Sequence, residues 1–157
     1  MKNIWISGSI NSGKSAVAKV LAKELKMAVI ELDILATFVE DWMSFDEYLK
    51  LNYSIVPEIV ETYNKKNISV VIVYPIGEVQ YGALKDALKN ITYFTIDPSF
   101  EIAVTNRGER SLTDWEKDRI RYHYDNNIHN PAFATRIDTK DKNVEESKNE
   151  ILTILAE

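Results

Sequence analysis

Apolar and polar positions alternate along the chain with two different periods. Asn3-Ile4-Trp5-Ile6-Ser7 is a short apolar run of the kind a buried strand carries. Past the next loop, Val17, Val20, Leu21 and Leu25 fall on one face of a helix, with Lys19, Lys23 and Lys26 mostly elsewhere around it. Ala28-Val29-Ile30 predicts a second strand, ending at Glu31-Leu32-Asp33. The mixed apolar and acidic stretch from Phe38 to Tyr63 predicts helix, which Pro57 interrupts or restarts. Ser69 to Tyr74 is rich in β-branched residues and uncharged, the signature of a fully buried central strand. Val79 to Leu88 predicts helix and Ile91 to Ile96 strand.

Asp97-Pro98 has the form of a helix start, with an acid at the N-cap and proline at the first helical position, for a helix running to about Arg107. Thr113-x-x-Glu116 and Asn143-x-x-Glu146 are capping boxes that open two more helices. A short strand at Ala134 to Ile137 lies between them, and the last helix carries Ile151, Leu152 and Leu155. The alternation predicts an α/β fold, a parallel sheet covered by helices on both faces. A length of 157 residues suits a single domain with a sizeable core.

Composition narrows the chemistry. Without cysteine there is no disulfide framework, thiolate nucleophile or zinc-thiolate site, which agrees with a reducing cytoplasm. No secretory signal is expected, because the first apolar residues already form the leading strand. The most apolar stretch, Ile68 to Ile76, is too short to span a bilayer. A formal net charge of −5 argues against a long nucleic-acid partner.

Between the first strand and the first helix lies Gly8-Ser9-Ile10-Asn11-Ser12-Gly13-Lys14-Ser15, which completes the phosphate-binding pattern G-x-x-x-x-G-K-[ST] (Walker A). Gly8 and Gly13 permit backbone angles and a close phosphate approach that a side chain would obstruct. Loop N–H groups converge on phosphate oxygens, aided by the positive end of the following helix. Lys14 adds a point charge near the β- and γ-phosphates, and the Ser15 hydroxyl suits Mg²⁺. Gly8, Ser9, Asn11, Ser12, Gly13, Lys14, Ser15 and Ala16 are therefore the candidate nucleotide-binding residues.

With this loop, the segment Asp97-Pro98-Ser99 through Arg107-Gly108-Glu109-Arg110 and Leu112-Thr113, and Ile137-Asp138-Thr139 before an acid-rich terminal helix, the chain resembles the small P-loop kinases. That group includes shikimate kinase, gluconate kinase, adenylylsulfate kinase and chloramphenicol phosphotransferase. The resemblance implies a three-layer, five-stranded parallel sheet of the nucleoside-monophosphate-kinase type, use of ATP and Mg²⁺, and an arginine-bearing lid at 107–116. It places the acceptor-binding segment at 31–64 and the adenine-side loop near Thr139. Two departures stand out: Asn11 occupies the place of a third glycine, and Val70 to Tyr74 ends in Tyr74-Pro75 rather than an aspartate. Asp33 then becomes the remaining acidic candidate for Mg²⁺.

The candidate chemistry follows from these positions. Asp33, at the end of the second strand, stands where open α/β sheets place ligands and where related kinases carry a carboxylate that deprotonates the acceptor hydroxyl. Its other reading is the cap of the next helix. Glu31, two residues earlier, is a weaker candidate for the same side. All five arginines lie between positions 107 and 136. Arg107 and Arg110 suit gripping the β- and γ-phosphates as a lid closes. Arg119 and Arg121 read mainly as solvated surface, and His123 and His129 as surface or cap residues. Arg136 suits either adenine or phosphate, or a structural salt bridge.

Charge also bears on the acceptor. From Glu31 to Tyr63 there are Glu31, Asp33, Glu40, Asp41, Asp46, Glu47, Glu58 and Glu61 against Lys50 alone. An anionic acceptor needs cations there, so a neutral or cationic alcohol fits better, unless the acids form only a solvated helical face. Trp42, Phe45, Tyr48 and Tyr53 fall in the segment that covers the acceptor. The sequence thus points to an Mg²⁺-dependent ATP:alcohol phosphotransferase. A nucleoside or nucleotide kinase is the alternative within enzymes, and a nucleotide-dependent switch or ATPase acting on a protein is the alternative outside them.

Overall fold

Five strands pair side by side into one parallel sheet: β1 Asn3–Ser7, β2 Ala28–Glu31, β3 Val70–Val73, β4 Ile91–Asp97 and β5 Thr135–Asp138, in the order β2-β3-β1-β4-β5. A computed structural model describes residues 2–39, 42–106 and 110–157. The helices are α1 Lys14–Leu25, α2 Phe45–Asn64, α3 Glu78–Leu84, α4 Phe100–Ala103, α5 Asp114–Asp125 and α6 Val144–Ala156, with a 3₁₀ segment at Leu32–Phe38. This is the three-layer arrangement expected from the alternation of elements. Among the described residues no helix is long and apolar enough to cross a membrane.

β1 is central, paired with β3 on one side and β4 on the other, and all five of its residues are buried. Strand alternation sends its side chains to opposite layers. Ile4 and Ile6 join Val71, Val73, Phe94 and Ile96 against Val17, Leu21 and Ile151 from α1 and α6. Trp5 joins Val70 and Ile72 against Val56, Val60 and Leu84 from α2 and α3. Each such apolar side chain contributes about 1.5–3 kcal/mol when fully buried.

Polar side chains fix β1 against β3. Asn3 Oδ1 accepts from the Val70 amide, the Trp5 indole donates to the Tyr74 carbonyl at 2.8 Å, and Ser7 Oγ accepts from the Ile76 amide. The last two bonds hold the carboxyl ends of the strands together. One of those ends launches the phosphate loop, and the other starts a wall of the neighbouring cavity.

Three elements differ from their sequence patterns. The helix expected from Phe38 starts only at Phe45, behind a Ser44–Glu47 capping box, and Pro57 lies within a continuous α2 instead of breaking it. Val56 and Val60 hold that stretch onto the sheet, which offsets the one lost backbone bond. Asp97 is not an N-cap but the last residue of β4, in register with Asp138. Its carboxylate accepts from Arg136 Nε at 2.8 Å and from the Tyr124 hydroxyl at 3.0 Å. The helix that follows is accordingly short and starts at Phe100 behind Ser99, whose φ is 84°. α3 ends at Leu84, short of Leu88.

Replacing Trp5 by phenylalanine should cost about 2–4 kcal/mol, from lost volume plus an unsatisfied Tyr74 carbonyl. Urea unfolding followed by far-ultraviolet circular dichroism measures this, and an unchanged midpoint would show that the indole is not a pin of the sheet.

Candidate functional site

The loop between β1 and α1 is shaped by backbone angles that few residues adopt. Gly8 has φ 140°, and a Cβ there would lie 2.6 Å from the Ile96 carbonyl oxygen, so backbone itself forbids a side chain. Gly13 has φ 92° and nothing within 4 Å of where a Cβ would stand, leaving that side open to an incoming group. It precedes α1 without any side-chain cap, so the first amides of the helix, those of Lys14 and Ser15, are free for an anion, while the Ala16 amide donates to the Gly13 carbonyl. Asn11 takes φ 60° and so performs the backbone role of the expected third glycine. Its amide nitrogen also donates to the carbonyls of Ala103 and Thr105, both at 2.9 Å, tying the loop to the segment that leads into the lid.

Lys14 is buried at 7% exposure, and its ammonium donates to the Ser9 carbonyl at 3.1 Å. Burial pushes its amine below the ordinary lysine value, while Asp33 draws it back up. Asp33 keeps a face open to solvent, yet the surrounding protein pushes its carboxyl above the ordinary aspartate range, with Lys14 opposing. Asp33 lies within the 3₁₀ segment and caps nothing; Glu31 precedes that segment, and Ser44 caps α2. Glu31 is instead paired with Lys19 at 3.0 Å.

Asp33 lines a cavity of about 290 Å³ beside the loop. Three tyrosines build its walls. The Tyr48 hydroxyl donates to the Leu32 carbonyl, the Tyr53 hydroxyl donates to the Pro75 carbonyl, and Tyr53 meets Tyr74 edge-on at 5.5 Å. Opposite residues come from α5. Trp115 contacts Phe45 edge-on at 5.6 Å, and the Arg119 guanidinium lies over the rings of Phe45 and Tyr122 at 5.1 and 4.6 Å. Asp46, Gln80 and His123 complete the polar lining.

Two readings change here. Arg119 faces the cavity rather than solvent, and it makes no ion pair among the described residues. His123 is buried at 3% exposure, with Nδ1 3.2 Å from Ser9 Oγ, so it is neither a surface nor a cap residue. His129 stacks on Tyr124 at 4.0 Å between ring centres, and its Nδ1 lies 3.3 Å from the His123 carbonyl in the last turn of α5, in keeping with its reading as a cap. The signal for the first two was present in the chain: Trp115, Arg119, Tyr122 and His123 recur at helical spacing and so share a face of α5. What that face opposes was not written there.

Arg107 lies outside the described residues, as do Glu40 and Asp41 of the acidic segment. Arg110 pairs with Glu116 at 2.8 Å, and the same Glu116 closes the capping box on Thr113. The Asn106 side chain accepts from the Leu112 amide, pinching the base of the lid segment. The Arg110 charge nonetheless reaches the site, since it acts on both Lys14 and Asp33. Arg136 is held by Asp97 at 2.8 Å and by Asp138 at 3.3 Å, which is the salt-bridge alternative for that residue.

On the other side of the loop, Ser12, Gly13 and Val17 meet Thr139 and Asn143 around a small cavity of about 70 Å³. The hydroxyls of Ser12 and Thr139 are buried there without a protein partner, among the described residues. The Walker A residues, with a basic first turn and uncapped amides, fit a nucleotide triphosphate tail. Ser15 and Asp33 offer the hard oxygen donors that suit Mg²⁺.

No family profile and no curated protein matches the chain by sequence. Its fold, in contrast, is well represented among solved structures. A sugar kinase from Janibacter sp. HTCC2649 superposes with a TM-score of 0.76 at 15% identity, covering 99% of this chain and 95% of that one. A gluconokinase from Sinorhizobium meliloti 1021 gives 0.74 at 15% identity, covering 99% and 91%. A shikimate kinase from Acinetobacter baumannii, in complex with shikimate, gives 0.70 at 12% identity, covering 99% and 93%. The five-stranded parallel sheet, its strand order and its glycine loop thus give this chain the nucleoside-monophosphate-kinase type of P-loop fold, the fold of the small P-loop kinases.

Proposed function

We propose that this chain is a small-molecule kinase of one catalytic domain, moving the γ-phosphoryl group of ATP to a hydroxyl of a small, uncharged or cationic acceptor. The acceptor segment is 31–64 and the lid is 107–116. The observation that carries the reading is the placement of Asp33: it lines the cavity beside the phosphate loop while acting electrostatically on Lys14. A carboxylate between a phosphate-binding lysine and a small-molecule cavity is the arrangement that hydroxyl phosphorylation requires.

Bound ATP would supply the phosphoryl group, and Mg²⁺ held by the oxygen donors of Ser15 and Asp33 would neutralise its charge. The chain's own residues do the rest. Loop amides and Lys14 hold the phosphates, Asp33 accepts the proton of the acceptor hydroxyl, and the aromatic walls exclude water. Arg110 joins the phosphates once it leaves Glu116. That partly exposed pair is worth about 0–1 kcal/mol, a small cost for closure. Arg107 remains a sequence-based candidate for the same role, and the Ser12–Thr139 side of the loop is the place for adenine.

The charge of the cavity supports an acceptor without an anionic group, though more narrowly than the acid count implied. Glu31 serves Lys19, Glu47 serves the Ser44 cap, and Glu61 serves Lys65. Asp33 and Asp46 are the carboxylates on the cavity, against Arg119, whose charge is directed onto two rings.

Lys14→Ala should fold normally and lose MgATP binding, measured by calorimetry; unchanged affinity would make the loop match accidental. Arg110→Ala should lower kcat by roughly 10²-fold with little change in ADP affinity, as for other cations that strengthen toward the transition state. Normal turnover of that variant removes the arginine from the lid's chemistry.

Asp33→Asn should keep MgATP binding and lose acceptor-stimulated turnover by about 10²–10⁴-fold. In the parent protein the rate should rise with pH through the pKa of Asp33, because the base works deprotonated. An ATP-consumption screen over an alcohol library, followed by mass spectrometry for a phosphorylated product, supplies the acceptor for both measurements. Basal hydrolysis that no acceptor stimulates would favour a nucleotide switch instead.

A further inference from the structure

His123 joins the acceptor cavity to the phosphate loop. It projects from α5 and lines the cavity that also contains Asp33, Tyr74 and Arg119, while Nδ1 lies 3.2 Å from Ser9 Oγ. Ser9 is fully buried, and its carbonyl receives the Lys14 ammonium. One short chain of contacts therefore runs from the cavity, through an imidazole and a serine, to the lysine that faces phosphate.

The direction of the proton in that chain is set by satisfaction of buried groups. The ring is neutral: burial, then the charges of Arg119 and Lys14 and the neighbouring His129, push its pKa down to about 3. A neutral imidazole has one donor nitrogen and one acceptor nitrogen. His123 Nδ1 is the hydrogen-bond partner of the Ser9 hydroxyl. If Nδ1 carried the proton, the buried Ser9 O–H would have no acceptor, at the cost that attaches to any buried unsatisfied donor. With Nδ1 as acceptor, Ser9 is satisfied and the proton resides on Nε2. Among the described residues Nε2 has no hydrogen-bond partner, and the residue that carries it lines the cavity.

We propose that His123 is a specificity-determining residue of the acceptor cavity: Ser9 fixes it as the Nε2–H tautomer, and this uncharged donor binds a second oxygen of the acceptor. The second oxygen is distinct from the one phosphorylated, because a hydrogen bond donated to the attacking oxygen would draw charge from it and weaken it as a nucleophile. The acceptor is thereby a molecule with at least two suitably spaced oxygens, of the polyol, sugar or nucleoside kind, rather than a simple amino-alcohol. This inference rests on the kinase reading of the cavity.

Two histidines make the chain suited to a direct test by ¹⁵N spectroscopy of the imidazoles, with His129→Gln assigning the signals. His123 should show the neutral Nε2–H pattern and should not titrate near the ordinary histidine value of 6.5. In the presence of MgADP, the Nε2 signal should move on addition of at least one probe from glycerol, D-ribose, D-glucose and uridine. Titration near 6.5, an Nδ1–H tautomer, or a signal that none of these probes moves overturns the proposal. If the kinase reading itself fails, MgADP does not bind or no alcohol stimulates ATP consumption, whatever the tautomer.

Two variants then separate the ends of the imidazole. Asparagine places its amide near the Nδ1 position and glutamine reaches the Nε2 position. With the acceptor found by the alcohol screen, His123→Asn should raise acceptor KM about five- to tenfold while ATP KM stays within about twofold, as expected for one lost hydrogen bond. His123→Gln should keep acceptor KM within about threefold and raise ATP KM, since the Ser9 link is the one removed. Equal losses in both variants would mean that His123 serves only packing.

Discussion

Burying the Lys14 ammonium is the constraint around which this molecule is organised. A lone charge in a protein interior is costly to desolvate, and here it is held by the Ser9 carbonyl and by the field of Asp33. The loop must therefore keep one shape. Gly8 presses against the Ile96 carbonyl, Asn11 grips the carbonyls of Ala103 and Thr105, and Ser9 leans on His123. Each contact belongs to a different element, so the sheet, the helix before the lid and the helix after it all converge on eight residues of backbone.

α5 carries more of the site than its sequence suggests. Its first turn holds Arg110 through Glu116 and sets Trp115 against Phe45, its middle adds Arg119 on the same ring, and its last turn delivers His123 to the loop. The Tyr124 hydroxyl donates to Asp97, which also binds Arg136. One helix thus touches Arg110, the wall of the cavity and the glycine loop.

The cavity beside the glycine loop is walled mostly by rings. Tyr74 and Pro75 follow β3 where the resemblance led to the expectation of an aspartate, and they contribute wall rather than charge. Tyr48 and Tyr53 spend their hydroxyls on the Leu32 and Pro75 carbonyls, so they present ring surface to the interior. Burial pushes both phenols up, which keeps them neutral.

The sequence by itself determined whatever depends on neighbours along the chain. The Walker A spacing, the two capping boxes at Thr113 and Asn143 and the alternation of strands with helices required only local geometry, and each is in place. Tertiary structure decided whatever depends on partners far away in the chain. Asp97-Pro98 reads as a helix start, yet Arg136, thirty-nine residues later, and Tyr124 claim the carboxylate and keep it in β4. Pro57 stays inside α2 because the sheet, not the helix alone, holds that turn. Asn11 replaces a glycine because its side chain finds two carbonyls more than ninety residues away. His123 and Arg119 share a helix face that is legible from spacing, but only packing against Ser9 and Phe45 turns that face into the wall of a site: a side chain's chemistry is set by its nearest atoms, and these come from the fold.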